Sequence, residues 1–136
     1  MIVVDTGPLV AMANQQDRHH VRCVEWFDTA PRPLLVPAPI LTEVCYLLER
    51  ERGAAVEAAF LRSVRDDVFT LVSPSQADLD RMADLVETYA SLPLGAADAS
   101  VIAVAERLKL TEVATLDRRH FTVVRPNHVG AFTLLP

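Results

Sequence analysis

The sequence is poor in the features that mark several large protein classes. It has only two cysteines, Cys23 and Cys45, far apart and in neither a CxxC nor a zinc-type spacing. That excludes a disulfide framework and a structural zinc site, and predicts reduced thiols in a cytoplasmic protein. The four histidines show no metal-ligand spacing either. No apolar stretch approaches the roughly 18 residues needed to cross a bilayer, so no membrane association is expected. No basic segment precedes an apolar one at the N-terminus, which argues against a secretory signal. There is no low-complexity tract and no internal repeat. Basic charge is also short. The net charge is −5, which opposes broad electrostatic binding of nucleic acid unless bound cations neutralise local acids.

What is present fits an ordinary globular chain. Its 136 residues, 51% apolar and 23% charged, suit one domain spanning 1–136 that can bury a sizeable core. Apolar runs of strand length at 2–4, 34–36, 68–72 and 112–115 alternate with helical patterns. Helices are expected from Pro8 to about Asn14, His19 to Thr29, Ile40 to Arg52, Ala54 to Arg65, Ser75 onward, and Asp98 to Lys109. The helix after Ser75 has the stripe Leu79, Met82, Ala83, Val86 and Tyr89, which places Asp78, Asp80, Asp84 and Glu87 on its solvated face. Phe121 to Val124 and Thr133 to Leu135 read as short final strands. Strands separated by helices predict an α/β fold: a mostly parallel sheet of four or five strands between helical layers.

Most of the eighteen acidic residues lie among other charges, but four do not. Asp5 is the only charged side chain in the first sixteen residues. Glu43 is the only one between Leu34 and Leu48, and Asp98 the only one between Leu92 and Ala105. Asp117 directly follows the apolar run Val113-Ala114-Thr115-Leu116. A carboxylate within an apolar stretch is partly desolvated, at a cost that calls for a partner. Asp5 and Asp117 lie just past strand ends, and Glu43 and Asp98 near helix starts. All four therefore belong to the carboxyl edge of one parallel sheet, where open α/β folds place their ligands. Oxygen donors without His or Cys suit a hard cation, Mg²⁺ or Mn²⁺. The chemistry that follows is metal-assisted hydrolysis of a phosphoryl ester. The Thr6 and Thr115 hydroxyls would orient ligands or waters, and Arg118 and Arg119 would hold phosphates of a nucleic-acid strand.

Blander readings stand beside these. Asp5 and Asp98 have the positions of helix N-caps, Glu43 that of a dipole-favoured first-turn acid, and Asp117 that of a turn residue beside Arg118. Asp5-Thr6-Gly7 also spells the aspartic-protease tripeptide, but that chemistry needs a second aspartate in a β-rich fold. An aspartyl-phosphate phosphatase would need an aspartate two residues after the first, where this chain has Gly7.

Taken together, the motifs resemble those of PIN-domain proteins. Val4-Asp5-Thr6-Gly7-Pro8-Leu9-Val10-Ala11 resembles their opening, and Thr42-Glu43-Val44 their second acidic motif. Leu92-Pro93-Leu94-Gly95-Ala96-Ala97-Asp98-Ala99 resembles the third, and Ala114-Thr115-Leu116-Asp117-Arg118-Arg119-His120-Phe121 the fourth. The resemblance covers essentially the whole chain, in the family's order. It implies a Mg²⁺- or Mn²⁺-dependent ribonuclease, with Asp5, Glu43, Asp98 and Asp117 as metal-binding acids and Thr6 and Thr115 as helpers. A PIN domain of this size is similar to the VapC toxins of toxin–antitoxin pairs. That implies RNA as substrate, and a VapB-type antitoxin and a homodimer as partners; for the antitoxin surface the sequence offers only apolar residues expected to be exposed on the early helices, such as Trp26 and Phe27. Many relatives carry a further acid just before the Leu-Pro-Leu stretch. Here that place is Ser91, which leaves the metal count open. The alternatives are a housekeeping RNA-processing nuclease, or a catalytically silent binding module whose acids only cap helices.

Overall fold

The computed structural model describes all 136 residues as five strands and seven helices. In order they are β1 (Ile2–Val4), α1 (Thr6–Ala13), α2 (His20–Thr29), β2 (Leu34–Pro37), α3 (Ala38–Arg52), α4 (Ala54–Arg65), β3 (Thr70–Val72), α5 (Gln76–Thr88), α6 (Ala96–Arg107), β4 (Glu112–Ala114), α7 (Arg118–Val123) and β5 (Thr133–Leu135). The strands form one sheet in the order β3-β2-β1-β4-β5. Every pairing is parallel, with Val3 opposite both Leu35 of β2 and Val113 of β4. This is the expected α/β architecture with five strands. No helix is long and apolar enough to cross a membrane.

The chain winds from β1 through β2 to β3 on one side, then returns to lay β4 and β5 on the other. The strand order therefore reverses between β1 and β4, and such switch points open a crevice at the carboxyl ends of the strands. β1 is wholly buried, as a central parallel strand must be. α6 is buried over eight consecutive residues, Ala99 to Glu106. Its small and branched side chains, Ala99, Val101, Ala103 and Ala105 among them, let it press against β1, β2, α3 and α5. A helix apolar on nearly all sides belongs inside. Between α3 and α4, Gly53 takes a φ of 84° that other residues rarely adopt.

Three expectations need correction. Phe121–Val124 is not a strand: residues 118–123 form α7, capped by the Asp117 carboxylate, which accepts from the His120 N–H at 3.1 Å. The branched residues suggested a strand, but a cap and one buried anchor, Phe121, suffice for a single helical turn. On α5, Leu79 and Val86 are exposed, and the buried positions are Asp78, Met82 and Leu85. Asp78 is thus interior rather than solvated. It completes a capping box with Ser75 and accepts from the Arg107 guanidinium at 2.9 Å. Phe27 is buried against Trp26 and Phe69, with ring centroids 4.9 and 5.5 Å away, so it is core rather than partner surface.

Candidate metal centre

The crevice beside β1 and β4 holds a cleft of about 460 Å³ lined by Asp5, Thr6, Gly7, Glu43, Asp98, Leu116, Asp117 and His120. All four isolated acids meet there, each from a different element. Asp5 leaves β1 directly, and its N–H extends the β1–β4 ladder by donating to Ala114 O at 2.9 Å. Glu43 projects from the second turn of α3, which starts where β2 ends. Asp98 lies in the first turn of α6, whose N-cap is Gly95. Asp117 follows β4 and starts α7. Gly7 allows the close approach that shapes this edge: a Cβ there would lie 3.1 Å from Leu116 Cβ.

The capping alternatives can now be judged one by one. Asp5 occupies the N-cap position of α1 but makes no side-chain cap hydrogen bond. Its Oδ2 instead accepts from the Thr115 hydroxyl at 2.7 Å, and Thr115 Oγ1 accepts in turn from the Asp117 N–H at 2.9 Å. One buried hydroxyl thus ties the β1 acid to the loop after β4. Asp98 caps nothing. Asp117 does cap α7 while lining the cleft.

Burial dominates the electrostatics. Asp5 is 4% exposed, and desolvation raises its pKa from 3.8 to about 7. The Thr115 hydroxyl and Thr6 N–H offset this in part, while the Asp98 and Glu43 charges add to it. Desolvation also raises Asp98, against the lowering effect of His120, and raises Glu43, with Asp98 adding to the rise. Thr6 Oγ1 is near enough to Glu43 to favour its charged form, yet it is buried without a hydrogen-bond partner. No arginine or lysine lines the cleft. Arg118 donates to Pro136 O at 3.2 Å instead, and Arg119 is exposed without an ion pair.

One lining residue was not singled out from the sequence. His120 Nδ1 lies 3.0 Å from Asp98 Oδ2 and 2.9 Å from Asp117 Oδ2. Its signal was its place three residues after Asp117, which one turn of α7 folds back over that carboxylate. A desolvated acid cluster, an oxygen-rich donor set and an orphaned buried hydroxyl fit a site built for a divalent cation and its waters.

Comparison with known proteins gives the family and the fold. Residues 2–125 match the PIN domain. The chain is 30% identical over 135 residues to Ribonuclease VapC26 of Mycobacterium tuberculosis, covering 99% of this chain and all of that protein. In structure it is similar to VapC20 of Mycobacterium tuberculosis, a Sarcin-Ricin loop cleaving toxin, with a TM-score of 0.82 and 18% identity over 88% of this chain and 92% of that one. It also resembles VapBC2 from Rickettsia felis bound to a DNA fragment from their promoter, with a TM-score of 0.69, 13% identity and full coverage of both chains. The chain belongs to the PIN-domain family, in its VapC-like group.

Proposed function

We propose that this chain is a metal-dependent endoribonuclease and the toxin of a VapBC-type toxin–antitoxin pair. The observation that carries the reading is the convergence of Asp5, Glu43, Asp98 and Asp117 on one cleft without an arginine or lysine to neutralise them. The whole-length likeness to a VapC ribonuclease supports RNA as the substrate. Asp5, Glu43, Asp98 and Asp117 would hold Mg²⁺ or Mn²⁺. When bound, such a cation supplies Lewis acidity toward a phosphoryl oxygen and a more acidic water.

The chain's own residues supply placement. Thr115 fixes the Asp5 carboxylate through a 2.7 Å hydrogen bond and couples it to the Asp117 backbone. The Thr6 hydroxyl, beside Glu43 but without a well-formed hydrogen bond, would hold a water or a phosphate oxygen at the cleft wall. Glu43, on the exposed side, closes the lip. Arg118 and Arg119 stand beside Asp117 to take phosphates of the bound strand outside the acidic centre. A VapB-type antitoxin and a second copy of the chain are the expected partners, in the cytoplasm. The likeness to VapBC2 supports the antitoxin.

The test is cleavage of a mixed RNA pool by the purified chain. Cleavage should need Mg²⁺ or Mn²⁺, stop with EDTA and be lost in Asp98→Asn. Cleavage that survives EDTA, or that Asp98→Asn leaves unchanged, refutes the reading.

A further inference from the structure

His120 stands between two acids of the cleft, with its Nδ1 hydrogen-bonded to Asp98 Oδ2. Its single Nδ1 faces two carboxylate oxygens at nearly equal distance, 3.0 Å to Asp98 and 2.9 Å to Asp117. One N–H can point well at only one of them. Two oxygens at that spacing from one nitrogen also match neighbouring ligands in a coordination shell: donors about 2.1 Å from an octahedral ion lie about 3.0 Å apart at adjacent positions. One ligand atom from each of Asp98, Asp117 and His120 falls within 4.8 Å of the other two. The same cleft contains a second sign of room for a ligand, beside Glu43. Thr6, only 8% exposed, lines it with a buried hydroxyl that has no partner.

We propose that His120 is itself a metal ligand. Through Nδ1 it joins Asp98 and Asp117 in a cation position of mixed nitrogen and oxygen donors, which selects Mn²⁺ over Mg²⁺. Imidazole donors favour the transition metals, whereas oxygen-only sets suit Mg²⁺. The anchoring is local. Asp117 caps α7 through the His120 N–H, so the turn that positions one ligand also presents the other. Phe121, fully buried beside it, keeps that turn against the core. The inference rests on the reading of this cleft as a metal centre and adds to it one residue and a preference between ions.

Pulsed electron paramagnetic resonance on the Mn²⁺-loaded protein tests it directly, without RNA. The expected result is ¹⁴N modulation from a coordinated imidazole, present in the wild type and absent in His120→Ala. The Mn²⁺ affinity of His120→Ala should fall at least about tenfold, the scale on which even outer-shell changes act. His120→Asp, which restores an oxygen donor, should bind Mn²⁺ without the nitrogen signal and lose the preference over Mg²⁺. Thermal melts of both variants report folding. Bound Mn²⁺ without ¹⁴N coupling in the wild type, or unchanged Mn²⁺ affinity in His120→Ala, overturns the role of His120 and leaves the metal centre standing. No Mn²⁺ binding at all overturns both.

Discussion

The two ends of α6 each carry an acid withdrawn from water, and they settle its charge in opposite ways. At the C-terminal end, Glu106 is held by the Arg81 guanidinium through two hydrogen bonds of 2.8 and 3.0 Å and accepts the Asn127 N–H at 3.0 Å. Next to it, Arg107 meets the buried Asp78. These pairs clamp α5 onto α6. At the N-terminal end, Asp98 shares one imidazole with Asp117, and nearby Asp5 has only a hydroxyl. A buried acid with a guanidinium against it is a fastener. A cluster of acids around the buried Asp5 without one is a socket, because its charge waits for something from outside the chain.

Substitutions can exchange the two behaviours. Asp5→Asn keeps the shape and the Thr115 contact but removes a ligand. RNA cleavage in Mn²⁺ should drop by more than about a hundredfold, beyond the range seen for residues that only support a metal ligand, while the metal-free protein folds at least as stably as wild type. A less stable Asp5→Asn chain would make Asp5 a fastener. Arg81→Ala should do the reverse, leaving Glu106 buried and unpaired at a cost of about 3 kcal/mol in urea unfolding, with Mn²⁺ affinity unchanged. A shift in Mn²⁺ affinity would show that the two ends of α6 are not independent.

The pH dependence separates the regions further. Folded Asp5 keeps its proton up to about pH 7, whereas its ordinary value is 3.8. Between these values the unfolded chain binds fewer protons, so the stability of the metal-free protein falls as pH rises, by up to roughly 4 kcal/mol from this group. Below about pH 4 the penalty is absent. Glu43 and Asp98, also raised, act in the same direction. Urea midpoints in EDTA should fall from pH 4 to pH 7 more steeply in the wild type than in Asp5→Asn, and equal slopes would refute the assignment. Smaller effects are expected from changes that only loosen the socket. Thr115→Val should cost about tenfold in Mn²⁺ affinity by freeing the Asp5 carboxylate, checked by calorimetry. Gly7→Ala should cost about 1 kcal/mol from crowding Leu116, seen as a lower melting temperature.

The socket was more legible in the sequence than the fastener. Asp5, Glu43, Asp98 and Asp117 stand out because nothing charged surrounds them, and the alternation of strands with helices sends them to one sheet edge. Asp78 was misread because α5 carries acids on several sides, and the phase that chose Leu79 and Val86 over Asp78 and Leu85 was settled by packing against α6. Glu106 was hidden for a related reason: its partner Arg81 lies 25 residues away, on another helix. His120 was passed over because beside Arg118 and Arg119 it looks like part of a solvated basic run. Only the single turn of α7, itself mistaken for a strand, brings it over Asp117.

The mounts of the cleft residues are unequal, and that bears on how the site opens. Asp98 rides on α6, whose eight consecutive interior residues make its amides the natural candidates for the slowest hydrogen exchange in the molecule. Asp117 and His120 ride on a six-residue helix at the surface, and Glu43 on an exposed side of α3. In metal-free protein the cleft therefore consists of one fixed wall and one that is free to breathe. Loading the site should slow exchange in α7 while leaving α6 unchanged.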